Sequence, residues 1–169
     1  MRMLLLVIFL LLPRAAFAGA APYQEYISAA AKHFDVPERL IRAIMRQESN
    51  FNPWAVNVAG VGHMPGSREE ALEIANRAWT EGRSFDVGLM QINSYWLKRF
   101  GLTPEYVIDP ERNIIIGAWI LSKEIDRFGL GWKAVASYHT PVNRDAERGR
   151  KYAAAVIQHL MQMQTAAEE

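Results

Sequence analysis

Cysteine is absent from the 169-residue chain, which excludes disulfides, thiolate metal sites and a cysteine nucleophile. An excess of basic charge is also lacking. The 19 Lys and Arg stand against 18 Asp and Glu, so no surplus remains to neutralise the phosphates of a nucleic acid. The four histidines lack the spacing of metal ligands, and neither a phosphate-binding glycine loop nor a Gly-x-Ser-x-Gly elbow is present. We therefore expect no nucleic-acid partner, no metal and no cofactor.

The first residues have the pattern of a secretory signal. Leu4–Leu12 carries neither a charge nor a polar group, Pro13 ends the run, and Ala16–Ala18 supplies the small-x-small pattern of a signal-peptidase site. The run is too short to span ~30 Å of hydrocarbon as a helix. We expect residues 1–18 to be removed and residues 19–169 to form one globular domain. The alternative is an uncleaved membrane anchor.

Apolar residues recur at helical spacing through most of the chain, which predicts a mainly α fold. The predicted β structure is at most one small hairpin, formed by Ala55–Val58 and Val61–Met64. A capping-box pattern at Ser67 opens a helix to which the sequence assigns no role. The predicted helices are Tyr23–Phe34, one that starts at Asp35–Pro37 and ends before Asn52, 67–79, Ser94–Phe100, Glu111–Phe128 as the central core helix, Trp132–Tyr138 and Asp145–Met163.

Glu48 is the most informative single residue. It occupies the next position on the apolar stripe of the second helix, so its carboxyl should point toward the core or a cleft floor. Loss of hydration raises the pKa of a carboxyl, and an acid still protonated at about pH 6 can donate a proton to a leaving group. The alternative is an ordinary ion pair with Arg42 or Arg46. The stripe itself consists of Leu40, Ile41, Ile44 and Met45.

Three short motifs follow one another along the chain. Glu48–Phe51 reads Glu-Ser-Asn-Phe, Gly88–Asn93 reads Gly-Leu-Met-Gln-Ile-Asn, and Ala136–His139 reads Ala-Ser-Tyr-His. In this order they resemble the lysozyme-like superfamily, and most closely the lytic transglycosylases of the soluble-lytic-transglycosylase type. The resemblance covers about Tyr23–Leu160. It implies a lysozyme-like α-helical domain whose cleft lies between the helix of the first motif and the second motif.

The resemblance also implies roles for individual residues. Glu48 matches the catalytic acid and base, and Ser49 matches the serine that supports it and helps to position the substrate. Gln91, with the backbone around Gly88–Met90, matches the wall that binds the acetamido sugar. Tyr138 matches the aromatic residue whose hydroxyl holds the catalytic carboxyl. A plain turn at the second motif and an ordinary core tyrosine are the alternatives.

Two residues modify this assignment. His139 stands where the third motif commonly has Asn, and this variant resembles the branch found beside conjugation and secretion systems. The resemblance assigns His139 and Asn93 to the wall that binds substrate. The alternative is that His139 only caps its helix. Asp86, two residues before Gly88, resembles the Asp that assists hydrolysis in true lysozymes, where retaining cleavage uses two carboxyls about 5–5.5 Å apart. A loop Asp that bonds its own backbone is the alternative.

The resemblance therefore implies a periplasmic lytic transglycosylase that cleaves peptidoglycan glycan strands and leaves 1,6-anhydromuramyl ends. It would open the cell wall locally for a secretion or conjugation apparatus, whose components are the expected protein partners. A lysozyme-type hydrolase using Glu48 and Asp86 stays open. So does a non-catalytic glycan-binding component of such an apparatus. Trp54 and Trp96 are the candidate sugar-stacking residues of the cleft.

Overall fold

The computed structural model describes residues 23–140 and 143–168, with side chains as far as residue 164. The predicted signal, residues 1–18, lies outside these ranges. The helices and strands of the described residues, in chain order, are α1 Gln24–Phe34, α2 Glu38–Ser49, β1 Val56–Val58, β2 Val61–His63, α3 Arg68–Thr80, β3 Phe85–Val87, β4 Ile92–Asn93, α4 Ser94–Phe100, α5 Pro104–Val107, α6 Pro110–Phe128, α7 Trp132–His139 and α8 Ala146–Glu168. The mainly α prediction is confirmed.

The ends of the helices follow the capping signals in the sequence. The Ser67 side chain accepts a hydrogen bond from the Glu70 backbone N–H at 3.2 Å, as the capping-box pattern predicts. The Glu70 carboxylate, however, accepts from the backbone N–H of Gly66 at 2.9 Å, one residue before the expected partner. Helix α5 was not predicted, because its four residues are too few for an apolar period, although Thr103 caps it.

Helix α6 passes through the core, as predicted, and packs against α1, α5 and α7. Ile114, Ala118 and Leu121 on this helix are fully buried. The helix is not buried all round, since Ile115 is 38% exposed. Helices α7 and α8 pack together, and α8 also packs against α2. That contact brings the last helix of the chain to the end of α2 that carries Glu48.

The β structure is larger than one hairpin. The predicted hairpin β1–β2 is present, but β1 also pairs with β3 and β3 with β4, which gives an antiparallel sheet in the order β2-β1-β3-β4. Strands of two and three residues are too short to show alternation in the sequence. In β3 the side chains of Phe85 and Val87 are buried, and Asp86 between them points to the opposite face.

Within residues 23–140 and 143–168, no helix combines the length and the apolar content that a membrane span requires.

Candidate active site

Glu48 lies in the last turn of α2 and accepts a hydrogen bond from the hydroxyl of Tyr152, with 2.6 Å between Oη and Oε1. Burial of the carboxyl raises the pKa of Glu48 to about 8; the Tyr152 bond acts in the opposite direction, and the charge of Asp86 raises it slightly further. The predicted rise in pKa is confirmed. The alternative of an ion pair with Arg42, Arg46 or another cation is wrong for the described residues, because none of their ion pairs includes Glu48 and the Arg42 guanidinium bonds to the side-chain oxygen of Gln24.

Tyr138 does not hold the Glu48 carboxyl, so that part of the prediction is wrong. Its hydroxyl donates instead to the backbone carbonyl of Met90 at 2.8 Å. Tyr152 on α8 makes the predicted bond. Burial raises the pKa of both tyrosines well above its ordinary value, and the charge of Glu48 raises both further. Both therefore lie near the acid. The sequence showed Tyr152 only as a hydroxyl-bearing aromatic on the apolar face of the last helix.

Ser49 links α2 to the turn that follows β3. Its hydroxyl is within hydrogen-bond distance of the carbonyl oxygens of Leu89, at 2.9 Å, and Met45, at 3.2 Å. The residue is 2% exposed, which leaves it no surface for a glycan. Ser49 thus holds the turn after β3 in place next to Glu48. It can affect the position of the substrate only by fixing this turn.

Asn113 on α6 fixes the turn formed by residues 88–91, and the sequence analysis missed it. Its side-chain oxygen accepts from the Met90 backbone N–H at 2.8 Å, and its side-chain nitrogen donates to the carbonyls of Val87 at 2.9 Å and Val107 at 3.0 Å. The residue is fully buried with these three bonds made. A polar residue on an otherwise apolar helix stripe was the available signal, the same one that identified Glu48.

Two glycines let this turn approach α6. Gly88 has φ +84°, and a Cβ there would lie 2.2 Å from the Asn113 side-chain nitrogen. A Cβ on Gly117 would lie 2.3 Å from the sulfur of Met90. The Met90 side chain is fully buried as a result, so only its backbone is available to the cleft wall.

Gln91 closes the turn with a positive φ of 46°. Its side-chain nitrogen donates to the carbonyls of Ala55 and Gly88, each at 3.0 Å. The side chain therefore ties the turn to the segment before β1, and its oxygen remains as the acceptor that could meet an acetamido N–H.

Asp86 and Asn93 are paired neighbours on β3 and β4. The Asn93 side-chain nitrogen donates to Asp86 Oδ1 at 2.7 Å, and the Asn93 side-chain oxygen accepts from the Tyr95 backbone N–H at 2.9 Å. Burial raises the pKa of Asp86, while the Asn93 bond and the nearby Arg148 lower it. Because Asp86 acts electrostatically on Glu48, the site contains two carboxyls.

His139 lies against the tyrosine that holds Glu48. The imidazole and the Tyr152 ring are stacked, with centroids 4.6 Å apart and planes 10° apart. Its exposed edge faces solvent, and partial loss of hydration and the charge of Arg148 lower the pKa of His139. This position puts His139 at the site without assigning it a glycan contact.

The two predicted stacking tryptophans, Trp54 and Trp96, are both partly buried against the core. Trp96 stacks on Phe100, with centroids 5.7 Å apart, and meets Trp119 edge-on at 5.5 Å. The backbone N–H of Trp54 is bonded to the side chain of Asn52. A sugar contact of either ring stays a prediction.

Residues 25–161 match the family model described as the transglycosylase SLT domain. The type IV secretion system protein virB1 of Brucella abortus (strain 2308) is 35% identical over 88 residues, covering 51% of this chain and 37% of that protein. The invasion protein IagB of Salmonella typhi is 30% identical over 145 residues, covering 83% and 78%. Protein IpgF of Shigella sonnei is 27% identical over 161 residues, covering 92% and 90%.

A solved structure of an inactive mutant of the lytic transglycosylase Slt from Pseudomonas aeruginosa has a TM-score of 0.56 to this chain at 21% identity. The match covers 82% of this chain and 23% of that chain. It confirms the predicted lysozyme-like fold. The chain spans little more than a third of the length of the virB1 proteins that it matches.

Proposed function

We propose that this chain, which belongs to the transglycosylase SLT domain family, cleaves the β-1,4 bond between N-acetylmuramic acid and N-acetylglucosamine in peptidoglycan. The observation that carries the proposal is the carboxyl of Glu48, which accepts from Tyr152 and with a pKa of about 8 keeps its proton at neutral pH. The next residue, Ser49, bonds to the turn of residues 88–91. A protein that only binds glycan has little use for an acid held in this state.

One acid is enough for the reaction. Glu48 donates its proton to the glycosidic oxygen as the bond from that oxygen to C1 of the muramic acid breaks. The acetamido oxygen of the same sugar bonds to C1 and carries the positive charge. The Glu48 carboxylate then takes the proton of the C6 hydroxyl, whose oxygen attacks C1 and displaces the acetamido oxygen. The product is a 1,6-anhydro ring, Glu48 regains its proton, and no water is consumed.

The turn of residues 88–91 supports the acetamido step. Ser49, Asn113 and Gln91 hold this turn with hydrogen bonds to its backbone, so its shape is fixed before substrate arrives. The free side-chain oxygen of Gln91 is available to the acetamido N–H. Such a fixed wall costs little reorganisation when charge develops on the substrate.

Product analysis tests the reaction type. Intact sacculi digested with the protein should release muropeptides with 1,6-anhydromuramyl ends, detected by mass spectrometry as products 18 Da lighter than reducing ends, about the mass of one water. A heat-treated sample serves as the control. Reducing ends alone would replace the transglycosylase with a hydrolase, and intact glycan would leave a binding protein.

A lysozyme-type hydrolase is the second candidate, because Asp86 lies near Glu48 and is bonded to Asn93. Asp86→Asn decides between them. For the single-acid mechanism we expect turnover to fall by less than about tenfold, or ~1.4 kcal/mol in the barrier. A loss as large as that of Glu48→Gln, together with reducing ends in the wild-type products, would favour the hydrolase.

Tyr152→Phe and Tyr138→Phe separate the two tyrosines of the site. Loss of the Tyr152 hydroxyl removes a bond that lowers the pKa of Glu48, so the alkaline limb of the kcat/KM profile should move to higher pH. Tyr138→Phe removes a bond to the Met90 carbonyl and should cost ~1 kcal/mol of unfolding free energy without moving the limb. A profile that moves only in the Tyr138 variant contradicts this assignment.

We further propose that residues 1–18 direct export to the periplasm, where the glycan lies. Two relatives are named as a type IV secretion system protein and an invasion protein, which supports a role for this chain in opening the wall for a secretion or conjugation apparatus.

A further inference from the structure

Tyr95 is an exposed aromatic residue at the edge of the site, and the reaction described above does not use it. It lies in the first turn of α4, immediately beyond the second motif, and is 56% exposed. The neighbouring Trp96, which the sequence favoured, is packed between Phe100 and Trp119. Phe100, at the other end of the helix, is 45% exposed and has Trp96 stacked on it, so Tyr95 is the most exposed ring of α4 and lies nearest to the second motif.

A short series of contacts joins Tyr95 to the catalytic carboxyl. The backbone N–H of Tyr95 donates to the side-chain oxygen of Asn93 at 2.9 Å, and the same side chain donates to Asp86 at 2.7 Å. Asp86 in turn lies within electrostatic reach of Glu48. The sheet pairing of Asp86 with Asn93 thus places Tyr95 on the Asp86 side of the acid.

The ring is held in place before any ligand binds. Arg99, one turn later on α4, donates from Nη1 to the Tyr95 hydroxyl at 3.2 Å. The rings of Tyr95 and Trp96 meet edge-on, with centroids 5.2 Å apart and planes 74° apart. A fixed aromatic ring loses little conformational entropy on binding and offers a large apolar face.

We propose that Tyr95 is a stacking platform for a pyranose ring of the glycan strand, on the Asp86 side of the scissile bond. The apolar C–H face of an amino sugar would lie on the aromatic face, while Asn93 and Asp86 face the polar edges of the strand. The inference rests on the proposed function for the identity of the ligand. It adds a subsite beyond the reacting pair of sugars, and thus a preference for longer strands.

The experiment compares Tyr95→Ala, Tyr95→Phe and Tyr26→Ala. Tyr26 is the matched control, a tyrosine on α1 that is 38% exposed. We expect Tyr95→Ala to raise KM on long glycan strands by about five- to tenfold with kcat changed less than twofold, and Tyr95→Phe and Tyr26→Ala to stay near wild type. The increase should disappear on the shortest strands that are still cleaved.

A direct binding measurement keeps the inference separate from the cleavage chemistry. In the Glu48→Gln background, Tyr95→Ala should weaken the affinity for purified glycan strands by the same factor, measured by titration calorimetry. An unchanged Kd, or an equal loss in Tyr26→Ala, would overturn the platform. If wild type binds through Tyr95 but does not cleave, the platform stands and the proposed reaction fails. Tyr95→Leu, which keeps apolar bulk without a ring, should behave like Tyr95→Ala and replaces it if that variant does not fold.

Discussion

Glu48→Gln is expected to abolish peptidoglycan cleavage while the domain stays folded. The substitution removes the proton donor and keeps the side-chain oxygen that accepts from Tyr152. General acid–base catalysis contributes ~10²–10⁴-fold, and here the same group acts in both steps, so less than a few per cent of wild-type activity should remain. Peptidoglycan zymograms and release of soluble muropeptides measure the loss.

The matched control is Glu111→Gln, which changes an exposed carboxyl in the first turn of α6. It should retain wild-type activity within a factor of about two, because substitutions of exposed surface residues usually change little. If Glu48→Gln keeps more than a few per cent of the activity in the same assay, another residue is the acid.

The raised pKa of Glu48 has a second consequence, for stability. The folded protein keeps this proton until about pH 8, whereas the unfolded chain releases it near 4.5. The unfolded state therefore binds fewer protons between these values, and the unfolding free energy of wild type should fall as pH rises through this window. Glu48→Gln does not titrate, so its stability relative to wild type should increase from pH 5 to pH 8 in denaturant titrations.

The identity of the acid could be predicted from the sequence because its evidence is local. The apolar stripe of α2 and the position of Glu48 on it depend only on the helical period. The residue that holds the acid could not be predicted in the same way. Tyr138 and Tyr152 both lie near Glu48, and which one donates depends on how α8 packs against α2 and α7 against α8, across more than 80 residues of sequence.

The sheet and the turn of residues 88–91 also depend on contacts between segments that are distant in the sequence. β3 and β4 are three and two residues long, so their pairing depends on β1 and not on any pattern within them. Asn113 was visible as a polar residue among Ile114, Gly117 and Ala118, but its three partners come from two other segments. A buried amide can be noticed in a sequence, whereas its hydrogen bonds require the fold.

Asn113→Ala is expected to have the largest effect on stability. It leaves one backbone N–H and two backbone carbonyls buried without the partner that they have in wild type. Each unsatisfied group costs ~1–3 kcal/mol, so the total loss should be at least ~3 kcal/mol, a large part of a typical domain's 5–15 kcal/mol. Asn76→Ala, which removes one exposed bond to Glu105, is the matched control and should cost less than ~1 kcal/mol.

A double-mutant cycle with Gly88→Ala shows whether the loss comes from the turn itself. In wild type the new methyl group would meet the Asn113 side-chain nitrogen at 2.2 Å, so Gly88→Ala should be strongly destabilising. In the Asn113→Ala background that clash is gone and only the strain of φ +84° remains. The sum of the stability losses of the two single variants should therefore exceed the loss of the double variant by at least ~1 kcal/mol, measured in urea titrations. Additive losses would mean that the Asn113 side chain makes no close contact with position 88. The turn of residues 88–91 would then be held by Ser49 and Gln91 alone.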